Sequence, residues 1–339
     1  EIRKKALEKN INLLIVGPEK PLVNGIVDFF KNTNIKIFGP NKTASQLEGS
    51  KIFTKKLCKK YNIPTSKFEI FENKNEAIKY LDNSKYPIVI KADGLASGKG
   101  VYICKSNNEA KNAVSEIFDG KFGKADCVLV EEFLNGEEMS YFIISDGKEY
   151  KSFQTAQDHK RVGEGDTGPN TGGMGSYSPS RLSNKNLEAK INKKIIEPTL
   201  AGLKKLNTEY VGFLYVGLMI SNNEPYLIEF NVRMGDPECQ TILPLLKSDL
   251  GEIILSCCNQ SLSSQKIEWL YKKSLCIVLC SNGYPGEYKK KVIIKNTDNL
   301  NLQEGQYLIH AGTKYIDKDL YSYGGRVLNI VVTSNTFEN

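Results

Sequence analysis

The side chains best placed to do chemistry lie in Ile228-Glu-Phe-Asn-Val-Arg-Met-Gly-Asp-Pro-Glu238, where Glu229 and Asn231 are followed by Arg233, Asp236 and Glu238. The apolar residues around Glu229 and Asn231 read as a strand. A side-chain period of two puts both oxygens on one face, about 7 Å apart along the backbone. Two hard oxygen ligands suit Mg2+, which keeps waters and takes its remaining ligands from substrate phosphates. Glu-x-Asn by itself also fits a half-buried strand that ends in a polar turn. Gly235-Asp236-Pro237 adds specificity, because it forces a turn and aims three further charged groups at one spot.

Ile90-Lys-Ala-Asp-Gly-Leu-Ala-Ser-Gly-Lys-Gly-Val101 has the chemistry to hold the other end of a nucleotide. Tyr86 to Lys91 is apolar and β-branched, Gly94, Gly98 and Gly100 punctuate a loop, and Val101 to Cys104 is apolar again. Glycines let backbone N–H groups approach phosphate oxygens closely, while Lys91 and Lys99 supply point charges. A Walker A loop fails here on spacing and context. Only three residues separate Gly94 from Gly98, Gly100 stands where the Mg2+-binding Ser or Thr belongs, and a strand follows rather than a helix. For an isolated loop of this kind an ordinary hairpin connection is the plain alternative.

Together with Val128-Leu-Val-Glu-Glu-Phe-Leu-Asn-Gly-Glu-Glu138, these segments resemble the ATP-grasp superfamily and, within it, the phosphoribosylamine-glycine ligase family of purine biosynthesis. The resemblance also takes in Gly39-Pro-Asn-Lys-Thr-Ala-Ser-Gln-Leu-Glu-Gly-Ser-Lys51, the loop from Gln157 to Gly175, His310-Ala-Gly-Thr313 and Gly324-Gly-Arg326. The long loop discriminates best, since ATP-grasp enzymes in general share the nucleotide pieces but not Asp158-His-Lys-Arg161 with Asn170-Thr-Gly-Gly-Met-Gly175. The implied fold is α/β (α+β): an ATP-grasp fold with a partial N-terminal α/β domain at 1–44 and an ATP-grasp domain at 45–238. A lid-like subdomain falls near 64–133, a helical linker at 239–270 and an incomplete, strand-rich C-terminal domain at 271–339.

The resemblance implies that ATP, glycine and 5-phosphoribosylamine give glycinamide ribonucleotide, ADP and phosphate through a glycyl phosphate, with Mg2+ or Mn2+ as the metal. It implies that Lys91 meets the α-phosphate, that Ser97, Gly98, Lys99 and Gly100 close over the β- and γ-phosphates, and that Glu229 and Asn231 bind the metal. Glu131 and the backbone near Leu134 are then expected to face the adenine, and Glu138 the ribose hydroxyls. Asp158, Lys160 and Arg161 with Gly172-Gly173 are expected to line the glycine and acyl-phosphate pocket, and Arg233, Asp236 and Glu238 to face phosphoribosylamine. ATP-grasp enzymes often supply a third carboxylate near Val216 or Gly217. This chain has none there, so a second metal would lean on phosphates and water. Arg326 reads as a phosphate contact or as the residue after a Gly324-Gly325 turn, Glu131 and Glu132 also as a solvated strand face, and neither His159 nor His310 takes a role. Two rival functions are another ATP-grasp ligase acting on a different carboxylate and a nucleotide-binding module without ligase activity.

With 339 residues, 40% hydrophobic and 25% charged, the chain reads as an ordinary globular protein too long for one core. Its longest apolar stretches, Ile11 to Val16 and Val211 to Ile220, fall short of the ~20 residues a membrane span needs, and no signal peptide is visible. Eight cysteines contain no Cys-x-x-Cys pair and read as small buried hydrophobes in the reducing cytoplasm. The net charge of +7 comes from scattered lysines without aromatic interleaving, which disfavours nucleic acid and favours small anionic substrates. The expected partners are those substrates alone, on a monomer. Only five cations are arginine, and three of them, Arg161, Arg233 and Arg326, fall inside the segments above. A planar guanidinium grips carboxylate or phosphate with two parallel bonds, which an ammonium cannot do.

The elements that must position these groups follow from periodicity. Glu1 to Lys9 reads as the end of an amphipathic helix, Ile11 to Val16 as a buried strand, Pro21 to Lys31 as a helix and Ile35 to Phe38 as a strand. The chain begins without methionine inside an element, so the family's first strand and the glycine-rich turn that helps hold the amine are expected to precede Glu1. On that basis this chain alone is expected to bind MgATP without completing the ligation. A helix from Ser45, strand Phe68 to Phe71, helix Asn75 to Leu81, the glycine-loop hairpin, helix Asn108 to Phe118 and strand Cys127 to Phe133 would build the lid. Strands near Met139 to Ile144 and Tyr150 to Phe153 follow. Gln157 to Pro179 has no apolar period and reads as a long functional loop. Asn184 to Leu206 reads as one long helix, Tyr210 to Ile220 and Tyr226 to Asn231 as a hairpin turning at Asn222-Asn223, Glu238 to Gln260 as helical, and Ser274 to Val332 as strands.

Overall fold

The computed structural model describes residues 1–95 and 100–338 and divides into two compact units. The first comprises Glu1–Phe153, Asn184–Met234 and Gly251–Gln265; the second comprises Gln154–Ser183, Gly235–Leu250 and Lys266–Asn339.

In the first unit, one antiparallel sheet runs in the order Phe68–Phe71, Val128–Glu132, Ile88–Ala92 and Val101–Cys104. Helix Asn107–Phe118 covers it with Ala110, Ala113, Val114 and Ile117, the i, i+3, i+4, i+7 stripe that a 3.6-residue period places on one face. Ser106 and Asn73 start the two helices of this layer, because their side-chain oxygens accept from backbone N–H groups that have no partner within the helix. A second antiparallel sheet runs Glu224–Asn231, Val211–Ser221, Glu137–Asp146 and Tyr150–Ser152. Its hairpin turns at Asn222 and Asn223, whose φ of +50° and +65° suit the primed turn that a two-residue connection requires.

Three expectations for this unit change. Ile11 to Val16 is not a buried strand: the strand is Leu13–Ile15, and Ile15 is exposed. It has one parallel partner, Lys36–Phe38, and a two-stranded pair cannot bury both faces. Pro21 to Lys31 is two short helices, Glu19–Val23 and Ile26–Phe30, parted where Gly25 takes a left-handed φ of +85°. The long helix contains a π-helical stretch, Asn192–Ile196, between Lys185–Ile191 and Glu197–Lys205.

In the second unit, a five-stranded antiparallel sheet runs Gln306–His310, Arg326–Ser334, Lys273–Cys280, Gly175–Ser178 and Gln157–Asp158. Gln157 to Pro179 is therefore not a structureless loop. It supplies two strands to this sheet and folds a hairpin, Arg161–Gly163 with Thr167–Asn170, between them. Strands of two to four residues without apolar alternation leave no periodic signal. Glu238 to Gln260, which begins in the second unit and ends in the first, is not one helix. It divides into Glu238–Ile242, a 3-10 turn at Leu243–Leu245 and Leu250–Cys258, with the break beginning where Pro244 removes a backbone donor. All eight cysteines are free, and among the described residues no helix is long and apolar enough to cross a membrane.

Ile117 is fully buried in the core of the first sheet and Ile103 on its edge strand is 40% exposed. Ile117→Ala should therefore cost about 2–5 kcal/mol, and Ile103→Ala no more than about 0.5 kcal/mol. Urea unfolding of both variants checks the assigned faces.

Candidate functional site

Lys91 is the fourth residue of strand Ile88–Ala92 and Glu131 the fourth of Val128–Glu132, neighbouring strands of the first sheet. Both side chains are buried, and Lys91 Nζ lies 2.9 Å from Glu131 Oε1. Lys55, from helix Lys51–Tyr61, lies 2.9 Å from Oε2 of the same carboxylate and donates to the hydroxyls of Thr65 and Ser66 at 2.6 and 2.9 Å. Ser66 in turn donates to Glu131 Oε2. One carboxylate therefore sits between two lysines, away from water. Glu131 is not part of a solvated strand face; Glu132, pointing the other way, is exposed.

Electrostatics follow from this packing. Burial pushes the Glu131 carboxyl up, but Lys91, Lys55 and the Ser66 hydroxyl outweigh it and hold the group at about 2. Burial pulls the Lys55 ammonium below its ordinary value, partly offset by Glu131. Lys51 is lowered mainly by burial as well, while Glu229 opposes the shift. Lys51 donates to the carbonyl of Gly94 at 2.9 Å, and Ser50 donates to Asp93, so the start of this helix is tied to the start of the glycine loop. Gly100 is buried and its carbonyl accepts from the Ala92 N–H at 2.8 Å. Ser97, Gly98 and Lys99 lie outside the described residues.

Glu229 and Asn231 are half-buried on one face of strand Glu224–Asn231, as a period of two requires. Gly217 pairs with Glu229, and a Cβ there would stand 3.2 Å from both Glu229 Cγ and the Tyr215 ring. Val216 is buried and pairs with Phe230 on the opposite face. The position that shares a face with Glu229 is thus filled by its neighbours. Among the described residues no group of three or more His, Cys, Asp or Glu side chains gathers as a metal cluster. Two oxygen donors on one strand face are a partial set, fitting an oxygen-seeking divalent ion that takes its other ligands from phosphates and water.

Arg233 donates to Glu48 at 3.0 Å and lies 3.3 Å from Glu19, while Glu48 also accepts the N–H of Val232 at 2.8 Å. Burial pushes the Glu48 carboxyl up to about 7, with Arg233 and the Val232 N–H opposing. Leu134 lies in the connection after Val128–Glu132, and Glu138 is half-buried in Glu137–Asp146 opposite Met219.

The remaining expected residues belong to the second unit. Asp158 and Lys160 are 4.0 Å apart, and Arg161 donates to Gly168 across its own hairpin at 2.7 Å. Thr171 is bound to the Lys160 carbonyl through its N–H and its hydroxyl, and it accepts from the Gly173 N–H, which ties Gly172-Gly173 to Lys160. Asp236 pairs with Arg326, and Glu238 is buried. A Cβ at Gly235 would collide with the Glu238 carboxylate.

Sequence reasoning missed Lys51, Lys55, Ser66 and Glu48 as site residues. The available signal was Lys51 and Lys55 at a spacing of four, which places them on one helix face.

A family model described as the phosphoribosylglycinamide synthetase ATP-grasp (A) domain matches residues 49–239, with that family's N domain at 1–48 and C domain at 274–339. The chain belongs to the phosphoribosylglycinamide synthetase family. It is 46% identical over 332 residues to a phosphoribosylamine-glycine ligase of Brucella melitensis, covering 98% of this chain and 78% of that protein. A phosphoribosylamine-glycine ligase of Caldanaerobacter subterraneus is 45% identical over 340 residues, covering 100% of this chain and 81% of the relative. Among solved structures, a phosphoribosylamine-glycine ligase from Thermotoga maritima matches at a TM-score of 0.81 and 36% identity, over 91% of this chain and 77% of that one. The ATP-grasp expectation for the fold is borne out, and Glu131, Lys91 and Glu229 lie within the matched ATP-grasp domain.

Because Glu131 is held at about 2, below the ordinary carboxyl value of 4.5, its paired form stabilises the fold above pH 4.5, and that contribution fades as pH falls toward 2. Parent and Glu131→Gln should therefore differ most in urea midpoint near pH 7 and converge in acid. A gap that stays constant down to pH 3 would contradict the ionised pairing.

Proposed function

We propose that this chain joins glycine to 5-phosphoribosylamine at the expense of ATP, giving glycinamide ribonucleotide, ADP and phosphate, rather than binding MgATP without completing the ligation. The observation that supports this most is the match, in order, to the N, ATP-grasp and C domains of one synthetase family. A glycine carboxylate oxygen attacks the γ-phosphorus and ADP leaves. The amine nitrogen of phosphoribosylamine then attacks the carbonyl carbon of the glycyl phosphate. Phosphate departs with the glycine oxygen, and the amine proton passes to solvent. No enzyme nucleophile is needed, so the protein contributes positioning and charge.

In this reading the ATP-grasp domain lies at 45–238, the N-terminal part at 1–44 and the C-terminal part at 271–339. Lys91 and Lys51 hold nucleotide phosphates, and Ser97, Gly98, Lys99 and Gly100 close over them. Glu131, expected to face the adenine, has its oxygens against Lys91 and Lys55 and in this reading fixes Lys91 instead, while the backbone at Leu134 faces the adenine and Glu138 takes the ribose hydroxyls. Glu229 and Asn231 would hold Mg2+ or Mn2+, which when bound neutralises phosphate charge. Asp158, Lys160 and Arg161 take the glycine, and Arg233 and Asp236 the phosphoribosylamine. The substrates are small molecules handled in the cytoplasm by a monomer.

The test is phosphate release from ATP that depends on both glycine and phosphoribosylamine, with product mass as the second readout. Glu229→Gln and Asn231→Ala should keep the parental fold by circular dichroism and lose several kcal/mol of transition-state stabilisation, on the order of 10³-fold in rate. Folded variants with near-parental turnover would remove the metal assignment. Release that depends on another carboxylate, or nucleotide binding without release, would replace the function itself.

A further inference from the structure

Gly324-Gly-Arg326 is a segment of the resemblance that the reaction above leaves without a role. The structure gives each residue of it a specific neighbour. A Cβ on Gly324 would stand 2.9 Å from the Gly312 backbone, and one on Gly325 would collide with the ring of Tyr284. Ser281 closes this corner, donating its N–H to the Gly325 carbonyl at 2.7 Å and its hydroxyl to the Gly324 carbonyl at 2.9 Å. Two glycines thus let strand Arg326–Ser334 begin hard against the Ser281 to Tyr284 turn.

Arg326 uses the position this creates. Its Nη1 donates to the Gly172 carbonyl at 2.7 Å and to the Asp236 carbonyl at 2.8 Å, and its Nη2 donates to Asp236 Oδ2 at 2.9 Å. Asp236 Oδ1 takes Nη1 at 3.3 Å and the Gln240 side-chain amide at 2.8 Å. Tyr284, the residue that excludes a side chain at Gly325, accepts the Gly172 N–H on its hydroxyl at 3.0 Å. Both polar groups of the Gly172 backbone are therefore held by Arg326 and Tyr284. A Cβ on Gly172 would press on the Arg326 guanidinium at 3.0 Å. Gly173, at a φ of +112°, is packed against Pro237 in the same way.

We propose that Arg326 is a positioning residue that acts through Asp236 and Gly172, with Tyr284 holding the Gly172 N–H, and that together they fix the glycine-side loop to the acidic turn. Stability is a poor reason for this arrangement. The Asp236 side chain is half exposed, and such pairs contribute roughly 0–1 kcal/mol. Geometry is the better reason, because a fork that donates to two carbonyls and a carboxylate at once cannot be replaced by lysine, in a chain where lysine carries nearly all other positive charge. A carboxylate gripped along one side keeps the other side oriented for a cationic or amine-bearing ligand. The inference rests on the function proposed above, and it opposes the reading of Arg326 as a phosphate contact.

Two measurements decide it. In hydrogen exchange, the 170–175 segment should lose protection in both Arg326→Gln and Tyr284→Phe, with melting temperatures close to the parent; unchanged protection overturns the proposal. In kinetics, Arg326→Gln and Arg326→Lys should each lower kcat/KM for glycine, on the order of 10²-fold, with KM for ATP within about twofold. On kcat/KM for glycine, adding Asp236→Asn to Arg326→Gln should cost little more, as expected for groups acting as one unit. A rise in KM for phosphoribosylamine alone, additive with Asp236→Asn, would show that Arg326 binds the sugar phosphate directly and defeat the proposal. If the parent shows no glycine-dependent phosphate release, the reaction assignment fails, and exchange still decides whether Arg326 and Tyr284 hold the loop.

Discussion

The first unit is organised around a single buried carboxylate shared by two lysines. Glu131 cannot sit in that core unpaired, since desolvating a lone charge costs several kcal/mol. It therefore dictates where Lys55 and Lys91 must go. Lys55 passes the constraint on: it donates to Thr65, which donates to the carbonyl of Leu227, two residues before Glu229. One ion cluster thus ties the strand of Lys91 to the strand of the proposed metal ligands. Replacing such a cluster by apolar side chains is often neutral for stability, so its value lies in where it holds Lys91. Two lysines against one carboxylate leave a net positive charge, suited to receiving a phosphate.

The same logic recurs with different chemistry in the second unit. There Arg326 gathers Asp236 and Gly172, and close approach is possible only because Gly172, Gly173 and Gly325 lack side chains. Positions that a sequence shows merely as glycine-rich are tightly packed against a guanidinium, a proline and a tyrosine. The lysines act as point charges in a buried cluster and the arginine as a rigid fork at a partly exposed corner, consistent with the different shapes of the two cations.

Much of this was legible in the residues. The Glu229 and Asn231 face follows from a period of two, the Asn222-Asn223 turn from its tolerance of positive φ, and helix Asn107–Phe118 from its apolar stripe. Lys55 was not, because a lysine in an amphipathic helix reads as solvated and only the tertiary partner Glu131 shows otherwise. The sheet formed by the loop after Gln157 was also hidden, since strands as short as Gln157–Asp158 carry no period of their own. Leu275, Ile277 and Leu279 alternate with inward-facing Cys276 and Val278 yet are themselves apolar and exposed, so hydropathy could not assign the faces of Lys273–Cys280. Arg326 fell between two readings because its partners lie about 90 and 154 residues away in sequence.

The most direct measurement of the proposed chemistry follows one oxygen atom. Glycine labelled with 18O in its carboxylate is incubated with the protein, ATP, a divalent metal and phosphoribosylamine, and the released phosphate is analysed by mass. Attack of the carboxylate on the γ-phosphorus predicts one glycine oxygen in each phosphate released. Phosphate that carries only ATP and water oxygens would contradict a glycyl phosphate and, with it, the reaction proposed for this chain.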